Sequence, residues 1–282
     1  MIHLGLVGYP LGHSHSPKIH AEMLTQCGLA GEYQLFPVPP EDCSLLEKKL
    51  VEVRKGKLRG LNITIPHKQN VLPLVDTLSQ FAQLAGAVNT VYIKDNQLVG
   101  ENSDLPGFRS DLMRNFYPEE EDLAGKKVIV LGAGGAARAV AGALVLAGCV
   151  VVIAARRESQ TEEVVRHLDG YKEFLIGTHL SAEGLKPYSK DTDLIVNATP
   201  AGMHPETGRS PWPKGLSLPK GARAYDLVYN PKETQFMRDA RDAGLHTAGG
   251  MGMLIEQAVI AFELWTGCTV DRESLKKSLE DV

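Results

Sequence analysis

Residues 128–139 (VIVLGAGGAARA) carry an apolar strand into a glycine-rich turn and then an alanine-rich helix, with more than a hundred residues ahead of them. Gly132, Gly134 and Gly135 bring backbone N–H groups and a helix N-terminus to one point, an arrangement that suits a pyrophosphate. The third fingerprint position is Ala137, which the Gly-or-Ala form of the pattern admits. A helix over 136–146, then Gly148 and a second strand over 150–154, complete a βαβ unit. A dinucleotide site placed in mid-chain requires a second domain before it. That leading domain is where substrate chemistry is expected.

The end of the second strand selects the cofactor. An NAD site usually presents Asp or Glu there to the ribose hydroxyls, which repels a 2′-phosphate. Here stand Arg156 and Arg157. Two guanidiniums that fork onto phosphate oxygens favour NADP, with NAD the other possibility. The competing reading is a solvated charge pair opening the next helix.

With 282 residues, 43% hydrophobic and 23% charged, the chain has enough apolar matter for two ordinary cores. A net charge of −4 without a run of like charges gives no footprint for nucleic acid or an anionic membrane. Residues 139–155 are uncharged, but Gly142 and Gly148 divide them into a helix and a buried strand, so no span is expected. Cys27, Cys43, Cys149 and Cys268 lack the spacing of a metal or redox motif and read as free thiols in a reducing compartment. The opening MIHLGLVGYPLGHSHSP lacks the pattern of a secretory signal, so the expected location is the cytoplasm. No metal is expected, and the oligomeric state is left as monomer or homodimer.

Before the phosphate loop, strands are expected at 2–7, 33–38 and 60–65, with helices from Pro17 to a stop at Gly28 and over 43–55. Residues 88–93 and 97–101 read as a hairpin turning at Asp95 and Asn96. After the loop, strands are expected near 174–177, 193–197 and 222–227, and helices over 252–266 and 272–279. The Pro/Gly-rich stretch 205–219 reads as a mobile surface excursion.

Polar residues cluster at the ends of the leading strands. Ser14 and Ser16 lie in GYPLGHSHSP before a proline-started helix, where they serve either to bind a carboxylate or to cap that helix. In GLNITIPHK, period-two alternation puts Asn62 and Thr64 on one face, with Lys68 beyond the strand tip as a site residue or a solvated charge. GENSD ends in Asp104, which reads equally as the N-cap of a helix with Pro106 in its first turn.

This ordered set, together with GAVNT at 86–90, NATPAGM at 197–203, DLVYNP at 226–231 and GMGMLIEQAVIAFELWTG at 250–267, resembles the shikimate dehydrogenase family over essentially the whole chain. The resemblance implies an α/β substrate domain from 1–104 and 252–282, and a doubly wound Rossmann domain over 105–251 that binds NADP. It implies the reversible reduction of 3-dehydroshikimate to shikimate by NADPH, in aromatic amino-acid biosynthesis. By the same resemblance Lys68 and Asp104 form the catalytic pair, and Ser14, Ser16 and Tyr229 hold the substrate carboxylate. Asn62, Thr64, Asn89 and Gln257 hold its ring hydroxyls. Gly132, Ala133, Gly134, Gly135, Ala136, Arg156, Arg157, Thr199, Gly250 and Met253 bind the cofactor. Met251, Leu254, Phe262 and Trp265 are read as core at helical spacing.

Some positions depart from the family pattern. Ser103 stands for the usual Thr, Ala155 and Arg157 replace two polar members of the cofactor clamp, and Pro200 replaces a Ser. A quinate/shikimate dehydrogenase using NAD or both cofactors, an aminoshikimate-type enzyme and a silent NADP-binding regulator are the alternatives. Whether Lys68 transfers the proton itself or polarises the carbonyl is open at this level.

Overall fold

Residues 1–118 and 123–279 are described by a computed structural model. In chain order the leading elements are β1 (Ile2–Gly8), α1 (Ser16–Gln26), β2 (Gly31–Pro37), α2 (Cys43–Arg54), β3 (Gly60–Ile63), β4 (Thr77–Leu78), α3 (Gln80–Ala85), β5 (Thr90–Lys94), β6 (Gln97–Glu101) and α4 (Asp104–Phe116). The phosphate loop opens the second series, β7 (Lys127–Leu131), α5 (Gly135–Leu146), β8 (Val150–Ala155), α6 (Glu158–His167), β9 (Leu175–His179), α7 (Ala182–Ser189), β10 (Leu194–Asn197), β11 (Arg223–Asp226), α8 (Gln235–Asp242) and β12 (His246–Gly249). Two helices follow, α9 (Met251–Thr266) and α10 (Arg272–Ser278). The chain divides into one unit of Met1–Gly107 with Ile255–Val282 and another of Phe108–Leu254.

The first unit is a mixed sheet in the order β2-β1-β3-β5-β6-β4. β1 pairs in parallel with β2 and β3, while β3, β5 and β6 alternate in direction. Asp95 and Asn96 both have positive φ, 49° and 62°, the signature of the type I′ turn expected between β5 and β6. One face packs on α2 through Leu46, Leu50 and Val53 against Val7, Leu61, Ile63 and Val91. Asp42 caps α2 by accepting the Leu45 N–H at 3.0 Å.

The cysteine expectation is corrected here. Cys27, at the C-cap of α1, forms a disulfide with Cys268, just past α9, across 241 residues of sequence. Cys43 and Cys149 are not disulfide-bonded. Sequence spacing carries no hint of this pairing, because the two helix ends are far apart in the chain and meet only in the folded unit. Gln26 reinforces the junction, donating to Asp271 O (3.2 Å) and accepting from Asp271 N (2.9 Å).

The second unit is wholly parallel in the order β12-β11-β10-β7-β8-β9. Numbered from β7, this is the 3-2-1-4-5-6 order of the doubly wound dinucleotide-binding fold. Strands covered on both faces need continuous apolar runs, which KVIVL and VVVIAA supply. α5 buries nine residues, all of them apolar or glycine except Arg138, which pairs with Glu163 at 2.7 Å.

Residues 205–219 run along the surface as expected, with one anchor in the core. They plant Trp212, 8% exposed, in a cluster with Leu185, Ala222, Phe236 and Leu245, and its indole N–H donates to Leu216 O at 2.8 Å. Proline and glycine density marked a non-repetitive path, and the single large aromatic in it anchors that path to the core. Among the described residues no helix is long and apolar enough to cross a membrane.

Candidate active site

In the first unit the strand tips deliver polar side chains to one buried cluster. Asn62 on β3 registers opposite Thr90 on β5, and Thr90 opposite Glu101 on β6. Lys68 follows the end of β3, and its carbonyl accepts the Val88 N–H at 2.8 Å, which fixes it beside Asn89. Its Nζ lies 2.6 Å from Asp104 Oδ2, with only 14% and 7% of the two side chains exposed. Asn89 Nδ2 donates to Asp104 Oδ1 (2.9 Å) and Ser103 Oγ (2.9 Å), and at 3.4 Å to Gln257 Oε1. Ser103 N and Thr90 Oγ1 donate back to Asn89 Oδ1 at 2.8 and 3.1 Å.

Asp104 is the first helical residue of α4, and the capping is done by Asn102. Asn102 Oδ1 accepts the Leu105 N–H at 3.1 Å, and its Nδ2 donates to Ala87 O at 2.9 Å. The Asp104 carboxylate is thereby left to Lys68 and Asn89. The Ser103 hydroxyl accepts from Asn89 Nδ2 at 2.9 Å and lies 3.2 Å from Thr90 Oγ1.

Ser16 also lies inside its helix rather than at the cap. His15 occupies the N-cap position of α1 but its side chain does not cap the helix, and Ser16 N donates to Ser14 Oγ at 3.3 Å. Ser14 and Thr64 make no side-chain hydrogen bond to the Lys68 cluster among the described residues. Sequence reasoning missed Tyr33, whose hydroxyl donates to Asn62 Oδ1 at 2.8 Å. It also missed Asn102, although Asn three residues before Leu105 is a legible capping signal.

In the second unit the sheet order reverses between β7 and β10, where the fold places ligands at the carboxyl edge. Register brings Leu131, Ala154, Asn197 and Asp226 to one level on that edge. Gly132 follows Leu131 with φ +113°, and a Cβ there would stand 2.9 Å from Ala198 O, so only glycine fits. Gly134 is the N-cap of α5 with no side-chain cap, and a Cβ there would meet nothing within 4 Å. The first N–H groups of α5 are therefore left for an anion, over open space. Ala133 is buried and Ala136 half-buried, while Arg156 and Arg157 are exposed at the end of β8. These features fit an NADP phosphate backbone with a cationic end for the 2′-phosphate.

Asp226 organises the neighbouring loops. Fully buried, it accepts from Asn197 Nδ2 (2.8 Å), Val228 N (3.0 Å) and Thr234 Oγ1 (2.6 Å). Burial pushes its pKa up to about 6, outweighing three hydrogen bonds that pull it down. Asn197 in turn accepts from the Thr199 amide (2.9 Å) and hydroxyl (2.7 Å), which sets the NATP turn. Tyr229, next after Val228, is half-buried, and burial raises its pKa. Gly250 N donates to Val228 O at 3.2 Å, and a Cβ at Gly250 would stand 2.1 Å from Leu227 O. Met253 is 7% exposed on α9, and Phe262 and Trp265 are buried farther along that helix, while Met251 and Leu254 are half-buried. Among the described residues no group of three His, Cys, Asp or Glu side chains is placed to hold a metal.

Known proteins resemble the chain over its whole length. Residues 6–91 match the family described as shikimate dehydrogenase substrate binding domain, 116–205 that of shikimate / quinate 5-dehydrogenase, and 250–280 the shikimate 5'-dehydrogenase C-terminal domain. The shikimate dehydrogenase (NADP(+)) of Carboxydothermus hydrogenoformans is 37% identical over 98% of this chain and 95% of its own length. The shikimate 5-dehydrogenase of Thermus thermophilus, solved with NADP(H) and shikimate, superposes with a TM-score of 0.84 at 36% identity, covering 100% of this chain and 99% of that one. A quinate dehydrogenase from Corynebacterium glutamicum, solved with NAD, gives 0.87 at 32% identity, covering 100% and 99%.

Proposed function

This chain belongs to the shikimate dehydrogenase family, and from that premise we propose that it reduces 3-dehydroshikimate to shikimate reversibly, using NADPH. The observation that carries the residue assignment is the enclosed Lys68–Asp104 pair, 2.6 Å apart and braced by Asn89. NADPH, when bound, supplies the hydride. Negative charge then grows on the carbonyl oxygen, and a Lys68 ammonium hydrogen-bonded there stabilises that charge more than it stabilises the ground state. Asp104 holds Lys68 in place, and in the reverse direction the pair takes up the hydroxyl proton.

The remaining roles are those the family resemblance implies, and donor and acceptor chemistry suits them. Ser14, Ser16 and Tyr229 supply hydroxyl donors for the substrate carboxylate. Asn62, Thr64, Asn89 and Gln257 offer amides and a hydroxyl to the ring hydroxyls. Gly132, Ala133, Gly134, Gly135 and Ala136 hold the pyrophosphate, Arg156 and Arg157 the 2′-phosphate. Thr199, Gly250 and Met253 line the nicotinamide end. We place the enzyme in the cytoplasm as a monomer or homodimer, a compartment whose reducing pool opposes the Cys27–Cys268 bond.

The test crosses shikimate and quinate with NADP and NAD and follows absorbance of the reduced nicotinamide. Turnover with shikimate and NADP far above the other three pairs is expected. Equal rates with quinate and NAD would move the chain to the dual-specificity branch, and silence in all four would leave a nucleotide-binding regulator.

A further inference from the structure

Asp111 has no part in the scheme above, yet it sits in the middle of α4 with only 3% of its surface exposed. A carboxylate taken out of water needs partners. The Tyr225 hydroxyl of β11 donates to its Oδ2, and the exposed Arg114, one turn along α4, reaches its Oδ1 at 3.5 Å.

Tyr225 is held to this contact by packing. Phe108 and Phe116 of α4 meet its ring edge-on, with centroids 5.3 and 6.2 Å away. Burial, and after it the charge and hydrogen bond of Asp111, push the phenol's pKa well above its ordinary value, so at neutral pH it stays a donor.

Another side of the carboxylate lies on the start of α9. A Cβ on Gly252 would stand 2.0 Å from Asp111 Oδ1 and 2.5 Å from Oδ2, so the two oxygens fill the space that any other side chain would need. Gly252 is the second residue of α9. The first N–H groups of a helix have no partner within it, and the dipole there favours a negative charge. α4 thus brings an anion to the opening turn of α9 through a gap that only glycine leaves.

The same turn carries residues assigned to the nicotinamide end. Gly250 immediately precedes α9, and Met253 directly follows Gly252. Tyr225 ties Asp111 to β11, and Val228, just beyond that strand, accepts the Gly250 N–H at 3.2 Å. Both restraints on the turn converge on one strand. We infer that Asp111 is a positioning residue for the nicotinamide end of the cofactor, its carboxylate seating the first turn of α9 and thereby fixing Gly250 and Met253. The inference rests on the functional reading above, which puts those two residues against the cofactor.

Asp111→Asn keeps the shape of the side chain and removes the charge. Calorimetric titration then compares NADPH with adenosine 2′,5′-bisphosphate, which carries the 2′-phosphate and lacks the nicotinamide. NADPH affinity should fall about three- to thirtyfold, the range for a charge at a helix N-terminus, while the bisphosphate binds as it does to wild type. An equal loss for both probes would show damage to the whole second unit, and no loss for either would show an idle carboxylate; each overturns the assignment. Gly252→Ala decides the case if Asp111→Asn does not fold, because it keeps the charge and pushes the carboxylate off the turn. It should give the same split between the probes, and NADPH affinity equal to wild type refutes the inference. Wild-type enzyme that leaves shikimate unoxidised would instead remove the functional reading, before any variant is compared.

Discussion

Around Asp104 the contacts that fix the site run between side chains, Lys68, Asn89, Ser103 and Gln257 each meeting another's polar atoms in a buried cluster. Around Gly132 the surface offered to a ligand is backbone, a left-handed glycine and the uncapped start of α5, with exposed arginines at its margin. The two regions therefore fail differently. A side-chain cluster loses function one polar group at a time, and a backbone site tolerates side-chain change except where a Cβ would intrude. Their supports differ as well, since a disulfide ties the first unit to itself while a buried carboxylate, Asp226, gathers the loops of the second.

The largest effect should come from the side-chain region. Asp104→Asn removes the negative charge that holds Lys68 and turns one of the two acceptor oxygens into a donor, and kcat is expected to fall about 10²- to 10⁴-fold, the scale of general acid catalysis. The KM for NADP should hold, and a parallel loss of NADP affinity would erase the contrast between the regions.

Next in size is the disulfide. Cys27→Ser with Cys268→Ser should lower the stability of the first unit by about 2–5 kcal/mol, since the bond closes a very long loop. The chain has two tryptophans, Trp265 in the first unit and Trp212 in the second. Urea unfolding of a Trp212→Phe variant, with and without reductant, reads the first unit alone, and an unshifted midpoint would refute the staple.

Asp226 gives the second unit a pH signature. Its folded pKa, about 6, lies above the ordinary 3.8, so between those values the folded state keeps a proton that the unfolded state has released. Stability from this group is full below pH 4, falls as pH rises to 6 and is level above, a loss of order 3 kcal/mol at most. The difference in urea midpoint between wild type and Asp226→Asn should change between pH 4 and 6 and stay flat above 6. A difference independent of pH would show that the carboxylate stays charged throughout.

The smallest effect belongs to the backbone region. Gly132→Ala places a Cβ 2.9 Å from Ala198 O at φ +113°, a strain of about 1–3 kcal/mol. NADPH binding, measured by fluorescence titration, should weaken roughly five- to a hundredfold, with kcat at saturating cofactor near wild type. A drop in kcat without one in affinity would contradict a purely backbone role.

The same contrast governs what the sequence disclosed. Gly132 and the run into it are legible because only glycine adopts that conformation and only a buried parallel strand reads VIVL. The hairpin turn at Asp95 and Asn96 is legible for a similarly local reason, since these two residue types tolerate positive φ between alternating strands. The cluster at Asp104 is different, because Asn62, Asn89 and Gln257 are ordinary amides until the sheet brings them together, and their grouping came from family resemblance. Tyr33, the Cys27–Cys268 bond and the burial of Trp212 escaped altogether. Each depends on contacts between segments far apart in sequence, where spacing carries no signal.

The most direct measurement takes Lys68→Ala, titrates NADPH, and then follows one turnover of 3-dehydroshikimate by stopped-flow absorbance. An NADPH dissociation constant equal to wild type, with hydride transfer slowed about 10²- to 10⁴-fold, is the predicted result. Hydride transfer at the wild-type rate would contradict it.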